Sequence, residues 1–504
     1  MSAGAAESSV AKSKKALPSR VDYLVIGAGA TGMAFCDTLL HHANVSIVLI
    51  DQHNRPGGQW LDSYEFVKLH QPSSMYGVES VALEPKDAKG GDAHRATRVE
   101  ILDYFERVCR MLEEKFEFYF EGNSSFDMEQ LDELPGEVED DCKFMLSEGR
   151  SILARKIVDA RYLQPDLPVH VPPKFRFNSS VIKCFPVNSL AAAKHEKSEH
   201  YVVIGAGKTG MDAISFLLHQ EVDPDDIVWI VPNEAWITAR ENIGSCMEFL
   251  YECTRLLKEE HLDSKSMKQV LTSTEFFQRG FVEWEKKGKV YRFQKDVLPT
   301  KFKDATLCSS ELEFIAHVTR VVRKGRVLSI DDSGSIHFND GTFMQLPWSS
   351  GPLHTTFVHC SAGAFNYSKQ LKKPPLVFHH HLITIQDVYG TPGFCFVGSI
   401  IGRLESLGLR VTDAEKNYMC FVPMPDAAQA MLPLGPSGGD IGVISSSHGY
   451  VQRLSNLRKW LKLPEVRDWL VGHRLFNLGH WPADQTERVL EEIWTVLQEC
   501  EVVE

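Results

Sequence analysis

The residues best placed to do chemistry are glycines. Gly27, Gly29 and Gly32 stand in Tyr23-Leu24-Val25-Ile26-Gly27-Ala28-Gly29-Ala30-Thr31-Gly32-Met33, and the pattern returns as Tyr201-Val202-Val203-Ile204-Gly205-Ala206-Gly207-Lys208-Thr209-Gly210-Met211. Both copies run from an apolar, β-branched stretch into a G-x-G-x-x-G turn and then into residues of helical character. The first glycine allows a tight strand-to-helix turn, the second lets a pyrophosphate reach the backbone, and the third lets helix and strand pack closely. The helix N-terminus adds unpaired N–H groups and a partial positive charge. One such turn arises by chance. Two, each after a hydrophobic strand, predict two phosphate cradles, one built from Gly27, Gly29, Ala30, Thr31 and Gly32, the other from Gly205, Gly207, Lys208, Thr209 and Gly210.

The elements around the first cradle extend the pattern. An apolar strand over 45–50 ends on Asp51, with Gln52 beside it, about 20 residues past the last glycine, where an acid accepts hydrogen bonds from ribose hydroxyls. Next comes Arg55-Pro56-Gly57-Gly58-Gln59-Trp60. A glycine pair followed by an aromatic suits a loop pressed against a flat ring system, and Gly58, Gln59 and Trp60 join the candidate binding residues. Thr97–Leu112 reads as an amphipathic helix, with Ile101, Leu102, Phe105, Val108, Cys109 and Leu112 on one side. Phe116–Phe120, Lys143–Ser147 and Ser151–Val158 read as strands around an acidic surface excursion at 122–142.

This string of G-x-G-x-x-G, acid and G-G-x-W resembles the FAD-binding half of two-dinucleotide-binding flavoproteins, the flavin-containing monooxygenase group above all. The resemblance implies FAD in the first fold and NADPH in the second. It also implies that the irregular segment Val67–Tyr76 wraps the isoalloxazine, with His70 and Gln71 at the flavin edge; a plain loop is the alternative. By the same resemblance Asp159–Pro165 and the proline-rich 165–173 cross between the folds, and Thr355–Gly363 returns into the FAD fold. Gly393–Ser399 becomes the last FAD strand, with Gly398 beside the ribityl chain. In the second fold the strand Ile227–Val231 ends in Pro232-Asn233 with no acid, so a 2′-phosphate is tolerated and Arg240 is near enough to pair with it, favouring NADPH over NADH. For Arg240 the alternative is a surface salt bridge; Lys208 either meets phosphate or is solvated.

The expected fold class is α/β. Two Rossmann-like dinucleotide-binding domains are arranged so that an NAD(P) domain interrupts the FAD domain, and a helical appendage follows. The boundaries read as a disordered tail at 1–20 (an organelle-targeting segment is the alternative), an FAD domain at 21–165 and 346–435, an NAD(P) domain with helical insertion at 199–345, and a helical segment at 436–504. Strands are expected at Glu313–Val322 and Arg326–Ile330, followed by a hairpin turning on Asn339-Asp340-Gly341. The helical 245–300 region is a candidate cap over the active site.

The composition of the 504 residues, 43% hydrophobic and 24% charged with net charge −13, is that of a soluble globular protein that repels nucleic acid and anionic membrane. No apolar run reaches the ~18–20 residues of a spanning helix. The 11 cysteines form no C-x-x-C or C-x4-C and no signal-peptide pattern is present, which points to reduced thiols in a cytoplasmic protein. The missing dithiol also argues against a disulfide reductase. His379-His380-His381 invites a zinc reading, but neighbouring strand residues face opposite ways and no ligand spacing accompanies them, so no metal is expected.

Taken with the resemblance, these features describe an FAD-dependent oxidoreductase, in the leading reading an NADPH-dependent monooxygenase acting on a small-molecule organic substrate. A flavin oxidase or dehydrogenase without oxygen insertion, and a non-catalytic dinucleotide-binding protein, are the alternatives. The linker fingerprint F-x-G-x-x-x-H-x-x-x-[YW] of the monooxygenase group is absent: the interval reads Val169-His170-Val171-Pro172-Pro173-Lys174-Phe175-Arg176-Phe177-Asn178 and then Cys184-Phe185-Pro186-Val187-Asn188. No catalytic side chain is assignable, because in such enzymes the cofactor carries the reactive centre.

Overall fold

Short β-branched and aliphatic runs, apolar on both faces, suit strands of parallel sheets covered on each side, and two such sheets form here. The structure, a computed structural model, describes residues 15–83, 94–127, 141–146, 149–177, 179, 182–192, 198–243, 246–259, 263, 266, 274–299, 301–361, 376–389, 393–422, 453–476 and 483–499. Residues 1–14 of the expected tail, most of the acidic excursion and the Gly435–Gly439 loop lie outside these.

The first unit contributes β1 (Arg20–Ile26), α1 (Ala30–His42), β2 (Ile47–Ile50), α2 (Arg98–Lys115), β3 (Phe118–Glu121), β4 (Cys142–Met145) and β5 (Ser151–Asp159). The second contributes β6 (Arg176–Phe177), β7 (Lys183–Pro186), β8 (His200–Ile204), α3 (Lys208–His219), β9 (Ile227–Ile230) and β10 (Ala235–Ala239). It continues through α4 (Cys246–Glu259), α5 (Thr274–Lys286), β11 (Val290–Tyr291), β12 (Lys301–Leu307), α6 (Ser309–Ile315) and β13 (Val321–Val322). The strands β14 (Val327–Ile330), β15 (Ile336–Phe338), β16 (Phe343–Met344) and β17 (Thr355–His359) close it. Then come β18 (Leu382–Thr384), α7 (Phe394–Glu405), α8 (Pro464–Gly472) and α9 (Ala483–Glu499).

The first sheet runs β18-β5-β1-β2-β3, with β4 antiparallel on β5, and the second runs β13-β9-β8-β17-β7. Each glycine-bearing strand is therefore central, and from it the two parallel sheets read alike. The hairpin expected at Asn339-Asp340-Gly341 joins β15 and β16 in a four-stranded layer with β14 and β6. That layer and the second sheet share an apolar core of Val202, Ile204, Val228, Ile230, Val327, Ile336 and Phe338.

Four expectations need correction. Thr355–His359 does not return to the first sheet. It pairs with β8 on one side and β7 on the other, filling an edge that the second sheet would otherwise expose, so the first sheet resumes only at β18. The interrupting unit thus spans about 176–359 rather than 199–345. Residues 313–322 are not one strand: a side-chain cap, Glu311 accepting from the Cys308 N–H at 3.1 Å, starts a helix, and only Val321–Val322 joins the sheet. Gly393–Ser399 is not a strand: Gly393 precedes α7 and Phe394–Ser399 is its start, and α7 crosses α1. A Cβ on Gly398 would lie 2.2 Å from the Thr31 carbonyl oxygen and one on Gly402 2.9 Å from that of Phe35, so these glycines serve the helix crossing. Finally, residues 15–20 are placed: Lys15 Nζ donates to the Glu113 carbonyl at 2.9 Å, and Arg20 opens β1 opposite Leu153.

Helix α2 begins at Thr97 with a reciprocal cap from Glu100 and buries all six residues of its expected apolar side. Helix α9 packs on α4 of the insertion. Arg474, just past α8, donates to the carbonyls of Ser74 (3.0 Å), Tyr76 (2.7 Å) and Val78 (2.9 Å), so the C-terminal helices hold the loop that follows His70 and Gln71. Among the described residues no helix is long and apolar enough to cross a membrane.

Candidate dinucleotide-binding site

In the first cradle Gly27 adopts φ +105°, which a residue with Cβ rarely does, and its N–H donates to the Ile50 carbonyl at 2.9 Å. A Cβ on Gly32 would sit 2.0 Å from the Gly27 carbonyl oxygen, which is the close helix–strand approach the spacing predicts. Helix α1 starts after Gly29 with no side-chain cap, so the first-turn N–H groups, those of Ala30, Thr31 and Gly32 among them, have no intrahelical acceptor. The Gly57-Gly58 loop closes over them: Gly57 N–H donates to the Ala28 carbonyl at 2.9 Å, and a Cβ on Gly58 would meet Gly29 Cα at 2.7 Å.

Asp51 braces this turn, its Oδ2 accepting from the Ala28 N–H at 2.7 Å and its Oδ1 from the His53 N–H at 2.9 Å. His53 also pairs with Asp62 at 3.0 Å. Burial alone would lower its pKa, but the two flanking carboxylates outweigh burial and raise it. Gln52 is exposed. Trp60 is buried rather than presented as a platform, with Nε1 donating to the Tyr76 hydroxyl at 2.7 Å, while the Gln59 carbonyl accepts from Ser63 Oγ at 2.8 Å.

The second cradle repeats the backbone. Gly205 has φ +126° and donates to the Ile230 carbonyl at 3.1 Å, and a Cβ on Gly210 would lie 2.1 Å from the Gly205 carbonyl oxygen. Here, among the described residues, nothing closes over the turn: a Cβ on Gly207 would meet none of them within 4 Å. The position matching Asp51 is Val231, one residue earlier than the sequence placed it, since each donates its N–H to the next strand, to Glu121 O at 3.2 Å and to Val322 O at 3.0 Å respectively. Val231 is fully buried and apolar. Two amines flank the turn. Lys208 pairs with Asp212, and burial lowers its pKa. Lys303 Nζ donates to the Ala206 carbonyl at 2.7 Å, and burial brings its pKa down to about 8.

Arg240 does not stand free for a 2′-phosphate, nor is it a surface salt bridge. Its side chain is 3% exposed and turned inward, where Glu311 at 2.7 Å and the carbonyls of His70 at 2.7 Å and Thr306 at 3.1 Å satisfy the guanidinium.

The two cradles meet along a seam built by the 62–71 loop. The Tyr64 hydroxyl donates to Asp212 at 2.7 Å, and Phe66 stacks on Phe216 of α3 with centroids 4.1 Å apart. Arg240 and the Thr306 hydroxyl both donate to the His70 carbonyl. Glu311 joins Arg95 of the first unit (2.6 Å) to Arg240 of the second. The His70 ring stays neutral, because burial and then Lys208, Arg240 and Arg95 push its pKa down to about 3. His70 Nδ1 and Gln71 Oε1 are buried with no hydrogen-bond partner among the described residues, as are Thr238 Oγ1 and Ser361 Oγ. Unpaired buried polar atoms are costly, and four near the C-terminal edges of parallel strands mark where a ligand belongs. Sequence reasoning missed Tyr64, Thr238, Lys303 and Glu311, which carry no local motif and act only through tertiary placement. Both cradles therefore fit a dinucleotide, with backbone donors for phosphate and unused polar atoms beside them. No group of three or more His, Cys, Asp or Glu among the described residues could hold a metal.

The NAD(P)-binding Rossmann-like domain family matches residues 25–73. An uncharacterized protein of Mycobacterium tuberculosis is 31% identical over 488 residues, covering 95% of this chain and 82% of its own. An uncharacterized CzcO-like oxidoreductase of Geobacillus kaustophilus is 25% identical over 190 residues, 38% of this chain and 49% of its own. Among solved structures, the cyclohexanone monooxygenase of Rhodococcus sp. Phi1 bound to NADP+ superposes with a TM-score of 0.45 at 14% identity, over 88% of this chain and 97% of that one.

Proposed function

The chain belongs to the family of that mycobacterial protein, and we propose that it is an FAD- and NADPH-dependent oxidoreductase of the monooxygenase type, acting on a small organic substrate. One observation carries the reading: two matching cradles, the first covered by a loop and the second uncovered among the described residues, with unsatisfied polar atoms on the seam between them. FAD, when bound, supplies a two-electron acceptor that NADPH can reduce and oxygen can reoxidise. The chain's own task is binding and alignment. The first-turn N–H groups of α1, under the Gly57-Gly58 loop, hold the resident pyrophosphate. Those of α3 hold the exchangeable one, with Lys208 and Lys303 as nearby cations and Val231 offering no carboxylate to repel a 2′-phosphate. His70 and Gln71 stand on the seam where flavin and nicotinamide meet, His70 as a neutral hydrogen-bonding group. The 62–71 loop, gripped from both units, keeps the two ligands in register, and buried Trp60, Tyr64 and Tyr76 help to exclude water.

The missing linker fingerprint favours one second reading, oxidation or reduction without oxygen insertion. Anaerobic mixing of the purified protein with NADPH, and separately with NADH, tests the core of the proposal: bleaching of the flavin absorbance with NADPH is expected. Product mass after readmitting air separates oxygen insertion from simple redox turnover. A protein that stays colourless after reconstitution with FAD refutes the assignment.

A further inference from the structure

Strand β10 lies outside both Rossmann sheets, yet it reaches the seam. Thr238 is in register with Thr306 across the β10–β12 ladder, and paired residues on neighbouring strands share a face. On that face Thr306 Oγ1 and Arg240 Nε grip the His70 carbonyl, so Thr238 faces the loop that carries His70 and Gln71. Thr238 is 5% exposed, and its hydroxyl has no partner among the described residues. The same holds for His70 Nδ1 and Gln71 Oε1. A hydroxyl, an imidazole nitrogen and an amide oxygen left unpaired on facing elements complement a flat ligand edge that carries an N–H beside a C=O.

We propose that Thr238, with Gln71 and His70, forms a subsite for such an amide edge, Gln71 Oε1 accepting from its N–H and the Thr238 hydroxyl donating to its carbonyl. This rests on the reading of the chain as an FAD and NADPH protein. Both cofactors carry the chemistry, FAD in its pyrimidine ring and NADPH in its carboxamide, and the test tells them apart.

Thr238→Val keeps the shape and removes the hydroxyl, and Thr238→Ser restores it. Dissociation constants are measured by titrating apoprotein with FAD, and FAD-loaded protein with NADP+ and with 2′-phospho-ADP-ribose, which lacks the nicotinamide. The expected result is a loss of about 3- to 10-fold in one affinity, the effect of one hydrogen bond, with recovery in Thr238→Ser. Weaker FAD binding alone places the flavin edge here. Weaker NADP+ binding with unchanged 2′-phospho-ADP-ribose binding places the nicotinamide here. Unchanged affinities, or equal losses for NADP+ and its fragment, overturn the subsite. Melting of the ligand-free variants separates a structural role: Thr238→Val is expected to melt at or above the parent temperature, since an unpaired buried polar atom has been removed, and a lowered melting temperature would show that the hydroxyl is spent inside the protein and overturn the subsite. If the unmodified protein binds none of the three ligands, the proposed function itself fails, and that outcome is visible before any variant is made.

Discussion

Gly207→Ala separates what the fold needs from what a ligand needs. Gly207 precedes α3 with φ −83° and ψ −174°, a conformation open to alanine, and its added Cβ meets none of the described residues within 4 Å. Two small effects oppose each other. Alanine is a poorer N-cap than glycine, costing about 0.5–1 kcal/mol. It also restricts the unfolded chain, which contributes about 0.4–1 kcal/mol of stability. The net change is near zero, a shift of about 1–2 °C or less in a chain of this size. For a bound dinucleotide the methyl stands where the pyrophosphate must approach, and at least about 1.4 kcal/mol, a tenfold loss in NADP+ affinity, is expected. Gly210→Ala is the contrasting case: its Cβ would lie 2.1 Å from the Gly205 carbonyl oxygen, so the backbone itself must move and a destabilisation of about 1–3 kcal/mol or more follows. Thermal melting of the ligand-free variants, with calorimetric titration of NADP+, reads both effects. If Gly207→Ala melts like the parent and binds NADP+ within twofold of it, the open space over α3 is not a phosphate cradle.

Two further perturbations address the seam and the histidines behind it. Glu311→Gln breaks the bridge between Arg95 and Arg240 and leaves a guanidinium only 3% exposed beside carbonyls alone; urea unfolding is expected to show a loss of about 2–3 kcal/mol, and an unchanged midpoint would show that the bridge contributes nothing. His70 and His473, held down by burial to about 3 and about 4, stay neutral in the folded chain while their unfolded counterparts protonate below about 6.5. The unfolded state then binds the extra protons, so stability is complete above that pH and falls as the pH drops toward 4, by up to about 1.4 kcal/mol per pH unit for each histidine. Melting curves of His473→Gln between pH 7 and 4.5 should slope less than those of the parent, and parallel curves would contradict the burial of a neutral ring.

What the sequence shows and hides follows from the range of the interactions involved. The glycine turns were legible because each of their constraints is local: a positive φ at Gly27 and Gly205, and a helix that returns within van der Waals reach of its own strand at Gly32 and Gly210. The apolar side of α2 was legible for the same reason. Strand Thr355–His359 was misassigned because a buried parallel strand looks the same in whichever sheet it completes, and only the edge left open beside β8 decides. Gly393–Ser399 misled because its small residues suit a strand beside a ligand as well as a helix crossing at close range. Arg240 misled because an arginine near a strand end is a phosphate ligand only if nothing inside the protein takes it first, and Glu311 and two carbonyls do.

The same contrast of local and tertiary constraint bears on the division of labour between the cradles. Backbone geometry makes them near copies, so phosphate binding alone cannot make one ligand resident and the other exchangeable. The difference lies in what is laid over each turn. Over Gly29 the chain places Gly58, so near that a methyl on it would clash with backbone, and the loop is fastened through Ala28 and Asp51 to the turn it covers. Over Gly207 no described residue comes within 4 Å of an added Cβ, and the acid that would discriminate against a 2′-phosphate is replaced by Val231. Among the described residues, then, the two near-identical turns differ in a single glycine-pair loop laid over the first and in the residue, Asp51 or Val231, that ends the next strand.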